Sequence, residues 1–456
     1  MKLPRPHRPT NIRWMIFTLA FGASWMMYLH RYIFALIKPT LAEEWNLDKE
    51  QLGLFDSAFS LSYMVFQFPL GIAADVLGAH IVLTVLLLIW CVGLGMHAWA
   101  PSPKYMWYAR AMLGLGQSAV YANLNRIARA WFPTNIRTTL QGLVGVLAGR
   151  IGGLSAYLLF GTIMLGIWGL DWRTAIYFLS GGGIVYAIIF FALFRNSPRK
   201  HPRCNSAEVA LLKGESVADK SMSDKAGQSD PKSLAMPPKL TARQLLRSMK
   251  PRAIVNLICL NIQTILSTFA DNIYSNWIPL FLFEVHALKF TEMGIYSSLP
   301  LLGGAIAGVI GGLLNDYFIN LTGNRRWTRS GVAFCGKGMA AVVLFAAMAW
   351  YDSPYVFCGL LFLVKFFGDW SLTTSWGVVT DIGGRATASV FAFNNSVATV
   401  GAIAAPIIYG IIAHRLGWQI VFITAALAYL LCALSWLLID STIPVLADRE
   451  EFSNRD

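Results

Sequence analysis

Residues 53–75 read GLFDSAFSLSYMVFQFPLGIAAD, and residues 294–316 read GIYSSLPLLGGAIAGVIGGLLND. Each stretch is long and apolar enough to cross a bilayer as a helix, which takes about 20 residues. Each also closes with Gly-x-x-x-Asp, at Asp75 in the first copy and at Asp316 in the second, an offset of 241 residues. The two stretches indicate a membrane protein built from two related halves.

The composition of the whole chain supports a membrane protein. Of its 456 residues, 56% are hydrophobic and 13% are charged, whereas soluble domains carry about 25% charged residues. So few polar side chains cannot cover ordinary soluble domains, and disorder, collagen and coiled coil are excluded as well. Apolar runs between turn-forming breaks predict twelve membrane-spanning helices. The predicted spans are 14–37, 51–74, 80–100, 105–130, 138–166, 173–195, 253–283, 292–314, 330–350, 355–380, 386–412 and 418–440.

The net charge of +13 is distributed unevenly relative to the predicted spans. Lysines and arginines concentrate before the first span and in the polar stretch 199–252, and such residues mark cytoplasmic segments. Twelve spans then place both termini in the cytoplasm, in a multi-pass protein of the cell (inner) membrane. The expected organisation is a cytoplasmic N-terminus at 1–13, a six-helix bundle at 14–195, a cytoplasmic linker at 196–252, a second six-helix bundle at 253–440 and a cytoplasmic tail at 441–456.

The six cysteines and seven histidines carry no pattern of catalysis or metal binding. Most cysteines lie inside apolar runs, without a disulfide framework or a zinc spacing, and the histidines show no paired metal spacing. A membrane-embedded enzyme, the main rival to a carrier, would need a nucleophile with a base or a metal cluster. We therefore expect no catalytic residues, no metal and no cofactor.

Short motifs resemble those of a known superfamily. Two parallel six-span repeats joined by a long linker are the plan of major facilitator transporters, whose substrate site lies near the midplane between the halves. Residues 71–78, GIAADVLG, resemble the superfamily's loop motif after span two, and residues 110–116, RAMLGLG, resemble its span-four motif. The loop motif departs from the usual pattern, because Val76 stands where an Arg normally follows the Asp. The resemblance implies an all-α fold of twelve transmembrane helices in two six-helix halves.

Three further segments resemble the anion:cation symporter family within that superfamily. They are residues 28–31, YLHR, residues 131–133, WFP, and residues 197–202, SPRKHP, followed by Glu208. This family includes bacterial sugar-acid carriers and vesicular anion transporters. The resemblance covers nearly the whole chain and implies an organic anion as the substrate.

Two arginines inherit a role in anion recognition from this resemblance, Arg31 in span one and Arg110 in span four. An Arg inside a membrane is expected to face an aqueous cavity or an anion, and its planar fork suits a carboxylate. The family also implies that Tyr28 and Tyr63 bind hydroxyls or a carboxylate of the substrate. The alternative is that a protein acid neutralises each Arg and that the tyrosines bond to neighbouring helices.

At two positions associated with proton coupling, the chain differs from the family that it resembles. Proton-coupled members usually carry an Asp before the span-one Arg and a Glu seven residues after the span-four Arg, where this chain has His30 and Gln117. His30 can titrate near neutral pH, but Gln117 cannot. Coupling through another group, facilitated entry and anion exchange therefore stay open. The candidate coupling groups are His30, Asp56, Asp271 and Asp369.

Helical spacing collects further candidates for the substrate site. Gln117 shares a stripe with Arg110 in span four, and Tyr274 shares a face with Asp271 in span seven. Resemblance adds contacts in spans ten and eleven. The full set of predicted substrate contacts is Arg31, Arg110, Tyr28, Tyr63, Gln117, Arg150, Tyr274, Thr373, Ser375, Trp376, Asn394 and Asn395, and the predicted gating residues are Asp75 and Asp316.

Arg150 is predicted near the middle of span five, an unusual place for an Arg in this family. It can serve as a third cation for a dianionic substrate, as a partner for Asp56, or as a stand-in for a co-transported cation. Lys365 and Asp369, four residues apart in span ten, are expected to pair with each other, and proton carriage by Asp369 is the alternative.

The leading hypothesis is a secondary active transporter that moves an organic anion, a sugar acid or another carboxylate, by rocking of its two halves. An anion exchanger, a facilitator for another small solute, and a transporter-like receptor without turnover are the alternatives. The expected partners are the small organic anion, H⁺ or another co-ion, and membrane lipids. No nucleic acid is expected as a partner, and the protein is expected to be a monomer.

Overall fold

The computed structural model describes residues 9–209, 211–212, 251–383 and 387–445. Most of the expected linker and the expected tail lie outside the described residues, as does the start of the N-terminal segment. In the described part the predicted spans are helical except at a few short breaks.

Eight α-helices, labelled α1 to α8, form the first half within residues 9–194. Two π-helical stretches, Leu143–Leu147 and Ala156–Ile167, join and extend the helices of the fifth span. The helices are Ile12–Trp45, Lys49–Leu77, Ala79–Trp99, Pro103–Gln117, Val120–Trp131, Thr134–Gly142, Ala148–Ser155 and Trp172–Leu193.

Eight more α-helices, α9 to α16, form the second half within residues 251–383 and 387–445. A short 3₁₀ helix, Met348–Trp350, continues the fourth of them. The helices are Pro251–Asn276, Ile278–His286, Phe290–Thr322, Arg325–Ala347, Pro354–Gly368, Trp370–Gly383, Thr387–Arg415 and Trp418–Leu438.

Eleven of these helical segments are long and apolar enough to cross a membrane. The predicted fourth span, 105–130, differs, because it is divided into α4 and α5 by a turn at Ser118 and Ala119. The Ser118 hydroxyl donates to the carbonyl of Leu115 at 2.8 Å, which supports the turn. Spans seven and ten are also divided, at Trp277 and at Asp369. The all-helical fold predicted from the sequence is confirmed.

Local signals set several helix starts. Asp48 and Gln51 form a capping box at the start of α2, in which the Asp48 carboxylate accepts from the Gln51 amide at 2.7 Å. Gly78 ends α2 with φ of +84° and lets α3 begin at once, a conformation that a side chain at this position would strain. The last glycine of the GIAADVLG motif therefore has a backbone role.

The two halves touch through small residues at one end of the bundle. We call the end where α1 begins the terminal face, and the end that carries Trp45 the opposite face. A Cβ on Gly53 of α2 would lie 2.4 Å from the carbonyl oxygen of Pro406 in α15. A Cβ on Gly294 of α11 would lie 2.5 Å from the carbonyl oxygen of Tyr157. These helices can approach so closely only because both positions are glycine.

Hydrogen bonds join the halves where the helices touch. The Ser57 hydroxyl donates to the Ile403 carbonyl at 2.8 Å, and the Tyr157 hydroxyl donates to the Tyr274 carbonyl at 2.7 Å. In the described residues, the hydrogen bonds and ion pairs that join the halves lie at the opposite face or at mid-depth. Near the terminal face, Asp75 pairs at 2.7 Å with Arg126 of its own half. The bundle is therefore closed at the opposite face.

Glu208, from the segment after the first half, caps the start of α1. Its carboxylate accepts from the Thr10 hydroxyl and from the backbone amides of Ile12 and Arg13 at 3.1 and 3.0 Å. Burial alone would raise the pKa of Glu208, but these hydrogen bonds outweigh burial and lower the pKa. Since a helix start has unpaired amides and a positive dipole end, an ionised carboxylate stabilises it.

We predict that Glu208→Ala lowers the free energy of unfolding by about 1 to 2 kcal/mol, the usual cost of a lost helix cap. Because folding lowers the pKa of Glu208, its stabilisation is complete above the unfolded value of about 4.3 and is lost as the pH falls through the folded value. Thermal unfolding of the purified protein at pH 7 and pH 4 should therefore show a smaller difference between wild type and variant at pH 4. Glu43→Ala, at an exposed position on the opposite face, is the matched control. An equal loss in that control would contradict the capping role.

Candidate functional site

Arg31 in α1 is a cation without an acidic partner. Its Nε donates to Oε1 of Gln117 at 3.1 Å, and its guanidinium carbon lies 4.9, 4.8 and 5.5 Å from the ring centres of Tyr28, Phe59 and Tyr63. Its Nη2 is buried without a hydrogen-bond partner. Within the described residues no carboxylate lies within 4.0 Å of Arg31. Arg31 thus keeps both its charge and free donors.

Gln117 fixes Arg31 without neutralising it. The side chain is fully buried, and its Nε2 donates to the carbonyl of Met27 at 3.0 Å while its Oε1 accepts from Arg31. An ionised carboxylate at this position could not donate to Met27. The amide therefore serves as a neutral positioning group for the guanidinium.

The predicted tyrosines surround the same guanidinium. The hydroxyls of Tyr28 and Tyr121 lie 3.0 Å apart, and the Tyr121 hydroxyl donates to the Gly145 carbonyl at 3.0 Å. Tyr63 presents its ring to Arg31. Four residues predicted from the sequence, Arg31, Tyr28, Tyr63 and Gln117, are thus brought together by α1, α2 and α4.

Arg110, the second predicted anion ligand, has a protein partner. It is 1% exposed, and its Nη2 lies 2.7 Å from Oδ1 of Asp56 in α2. The other oxygen of Asp56 lies 2.5 Å from Nζ of Lys38 in α1. One carboxylate thus serves two buried cations, which corresponds to the alternative in which a protein acid neutralises Arg110.

Lys38 also links the two halves, a role that the sequence did not indicate. Its ammonium donates to the carbonyl of Asn276 at 2.7 Å and lies 3.9 Å from the ring centre of Trp277. These residues form the break between α9 and α10 in the second half. A lysine seven residues after Arg31, on roughly the same helix face, was the signal available.

A second charge cluster crosses the halves at mid-depth. Arg150 of α7 lies 2.5 Å from Oδ2 of Asp369, at the break between α13 and α14. Lys365 lies 2.6 Å from Oδ1 of Asp369 and 2.7 Å from Oδ1 of Asp271. The expected pairing of Lys365 with Asp369 is present. Arg150 pairs with Asp369, so the hypothesis of a salt bridge from Arg150 to Asp56 is wrong.

The remaining coupling candidate, His30, faces away from Arg31. The Trp90 indole N–H donates to Nδ1 of His30 at 3.2 Å, and the imidazole packs against Gly183 of α8. Because an indole nitrogen can only donate, Nδ1 accepts, which a protonated imidazole cannot do. His30 is therefore held neutral between α1, α3 and α8.

The predicted contacts of the second half divide into free and engaged side chains. Trp376 is 39% exposed and faces Gly145 of span five, and the Thr373 hydroxyl is buried without a partner. Ser375 accepts from Gln263 at 3.2 Å. Asn394 donates to Thr264 at 3.0 Å, whereas Asn395 is exposed.

Tyr274 and the two gating candidates lie outside the immediate surroundings of Arg31. The Tyr274 ring is fully buried, 5.7 Å from Nζ of Lys365. Asp75 forms its exposed pair with Arg126, and Asp316 is exposed at the terminal face. The structure thus brings Tyr274 to the charge cluster of the second half.

Positive charge exceeds negative charge inside the described spans. The side chains of Arg31, Lys38, Arg110, Arg150, Lys337 and Lys365 face only the carboxylates of Asp56, Asp271 and Asp369. Uncompensated charge in a membrane interior is costly and marks a pathway for a charged ligand. The fold and this central cationic site together define a membrane transporter.

Comparison with known proteins gives the family. The sequence model described as Major Facilitator Superfamily matches residues 20–345 and 260–453. The chain belongs to this superfamily, as its motifs predicted.

Individual relatives show which transporters within the superfamily this chain resembles. A protein of Cupriavidus necator named "Probable sulfoacetate transporter SauU" is 26% identical over 411 residues, which cover 88% of each chain. "Probable galactarate/D-glucarate transporter GudP" of Bacillus subtilis is 23% identical over 93% of this chain and 92% of that protein. The "Hexuronate transporter" of Escherichia coli K12 is 25% identical over 77% and 76%. The predicted resemblance to transporters of sugar acids and other organic anions is confirmed.

Solved structures share the fold. A bacterial homolog of the human lysosomal transporter Spinster, in an inward-facing and unoccupied conformation, matches with a TM-score of 0.69. The sequence identity is 16%, and the match covers 94% of this chain and 95% of that one.

We predict that Asp56→Asn destabilises the protein strongly, because Lys38 and Arg110 would lose their shared counter-charge. Breaking a buried ion pair on one side costs about 3 to 5 kcal/mol. Asp75→Asn is the matched control. It removes the carboxylate charge from the exposed Asp75–Arg126 pair, and such a pair contributes about 0 to 1 kcal/mol to the free energy of unfolding. Thermal unfolding in detergent compares the two variants. Equal unfolding temperatures would contradict the role assigned to Asp56.

Proposed function

We propose that this protein is a secondary transporter that moves a small organic anion, a sugar acid or another carboxylate, by alternating access. The main observation behind this proposal is that Arg31, at the centre of the first half, has no counter-charge and has a buried Nη2 without a hydrogen-bond partner. A carboxylate can accept two parallel hydrogen bonds from such a group. The names of the relatives support an organic anion as the cargo.

The contacts between the halves support alternating access. Lys38, Ser57 and Tyr157 reach across to backbone carbonyls of the second half near the opposite face. Such bonds can be exchanged for water when the halves rock apart, so the opposite face can open while the terminal face closes. The predicted domain division, two bundles of six spans joined by the linker, fits this motion.

We place both termini in the cytoplasm of a cell whose inner membrane holds the protein. The positive charges before span one and in the linker support this orientation. The opposite face, at which the halves are closed, then lies away from the cytoplasm.

The charges of the site favour anion exchange as the mode of transport. Neither His30 nor Gln117 can bring a proton to Arg31, and Asp271 and Asp369 are paired with Lys365. A carrier without its anion would have to reorient with Arg31 uncompensated, which a membrane interior disfavours. Net transport down a gradient and coupling through the second half are the alternatives.

We predict that Arg31→Gln abolishes anion binding while the protein still folds. Losing the guanidinium removes charge-assisted hydrogen bonds worth about 1.5 to 3 kcal/mol each. Ligand-induced thermal stabilisation by sugar acids, dicarboxylates and aromatic acids, followed by uptake into proteoliposomes, measures the effect. Arg173→Gln, at the opposite face beside Glu44, is the control for loss of one arginine. Wild-type affinity in Arg31→Gln would exclude Arg31 as the anion ligand.

We also predict that anion binding by the wild type is the same at pH 6 and pH 8, because within the described residues Arg31 contacts the amide of Gln117 and aromatic rings and no carboxylate or imidazole. Gln117→Glu should introduce a pH dependence. Its ionised carboxylate would compete with the anion for Arg31 and weaken binding by about tenfold at pH 8, and protonation at lower pH would restore affinity. Ligand titrations of both proteins at the two pH values give the comparison. A wild-type affinity that changes between them would show that another group binds a proton with the substrate.

A further inference from the structure

We propose that Arg150 is an exchangeable second anion site, at which a second negative group of the substrate replaces Asp369. The transporter would then select dianions over monoanions. This inference rests on the proposed function and extends it, since it specifies the charge of the cargo.

Arg150 is held beside the turn of α1 that carries Tyr28. A Cβ on Gly149 would lie 2.8 Å from the Tyr28 ring, and a Cβ on Gly152 would lie 2.2 Å from the carbonyl oxygen of Trp25. These contacts press α7 against α1 on both sides of Arg150. The guanidinium of Arg31 lies 4.9 Å from the same Tyr28 ring. Both arginines therefore project from one half next to a shared tyrosine.

The partner of Arg150 can release it without losing its own compensation. Asp369 keeps Lys365 at 2.6 Å when Arg150 leaves, and Lys365 keeps Asp271 at 2.7 Å. Asp369 and Asp271 then share the ammonium of Lys365, so neither carboxylate is left without a cation. An Asp369 with Arg150 as its single partner would instead be left as an unpaired buried carboxylate, which is costly.

The side chains of this charge cluster differ in their solvent exposure. The side chain of Arg150 is 19% exposed, whereas the side chain of Asp369 is 2% exposed and that of Lys365 is 1% exposed. An incoming anion can therefore reach Arg150 but not the ammonium behind Asp369. The substrate carboxylate takes the place of the Asp369 oxygen on the guanidinium, with no change of covalent structure.

The exchange also affects the contact between the halves. Arg150 belongs to the first half and Asp369 to the second, and theirs is the ion pair that joins the halves at mid-depth within the described residues. The other ion pairs between the halves, Lys49 with Glu284 and Arg415 with Glu50, are partly exposed at the opposite face. A dianion that occupies Arg31 and Arg150 together would release this mid-depth link, whereas a monoanion on Arg31 would leave it closed.

The test compares anions that differ only in one charge. Glucarate and gluconate share a six-carbon chain and differ in one terminal carboxylate, and succinate with butyrate and sulfoacetate with acetate extend the comparison to other frameworks. Dissociation constants are measured by calorimetry for the wild type, Arg150→Gln, Arg150→Lys, Asp369→Asn and the double variant Arg150→Gln with Asp369→Asn. The unfolding temperature of each variant without ligand reports whether it is folded.

We expect the wild type to bind the dianion of at least one pair about tenfold more tightly than its monoanion, a difference of about 1.4 kcal/mol. Arg150→Gln should remove this preference and leave the monoanion affinity within about twofold, while Arg150→Lys keeps part of the preference. Asp369→Asn removes the competitor and should strengthen dianion binding by about threefold or more, and this gain should vanish in the double variant. A structural link alone would not produce that gain.

Three results with the variants would overturn the inference. They are an unchanged dianion preference in Arg150→Gln, an equal loss of both anions in that variant, and weaker dianion binding in Asp369→Asn. If the wild type binds monoanions through Arg31 without any preference for dianions, the inference fails and the proposed function stands. If it binds no anion of any pair, the proposed function fails as well.

Discussion

A charged side chain inside a membrane needs a partner, because the hydrocarbon around it cannot solvate the charge. The described spans hold more cations than carboxylates, so single carboxylates are shared between two cations. Asp56 compensates Lys38 and Arg110, and Asp369 compensates Arg150 and Lys365. Once these pairs are formed, Arg31 and Lys337 remain without a carboxylate partner among the described residues, and Lys337 donates to the Ser267 hydroxyl. Of these two cations, Arg31 has a buried donor without a partner, and an incoming anion can compensate its charge.

The same charges connect the site to the movement of the halves. Each cluster includes one member that crosses from the first half to the second, Lys38 toward Asn276 and Arg150 toward Asp369. Both crossing contacts are made at helix breaks, where backbone groups and side chains leave the regular helix pattern. A break supplies polar groups within the membrane at the places where the halves separate and meet. Binding and rocking can therefore act on the same few residues.

The sequence predicted much of this arrangement. Eleven of the twelve predicted spans correspond to long apolar helices, and the fourth was found as two helices because its polar residues and the Ser118 turn interrupt it. Helical spacing and family resemblance also selected Arg31 and the residues around it, Tyr28, Tyr63 and Gln117. Sequence reasoning missed Lys38 and assigned Arg150 no correct partner, since neither residue has its partner nearby along the chain.

Two arginines show the difference between what the chain determines locally and what packing decides. Span positions, the helical class and the presence of Arg31 and Arg110 inside the membrane follow from the sequence, because apolar length and composition act residue by residue along the chain. The sequence treats both arginines alike. Only the tertiary structure separates them, because packing places α2 with Asp56 against Arg110 and offers Arg31 the amide of Gln117. Coulomb attraction depends on the distance between atoms of different helices, and no local pattern in the chain records that distance.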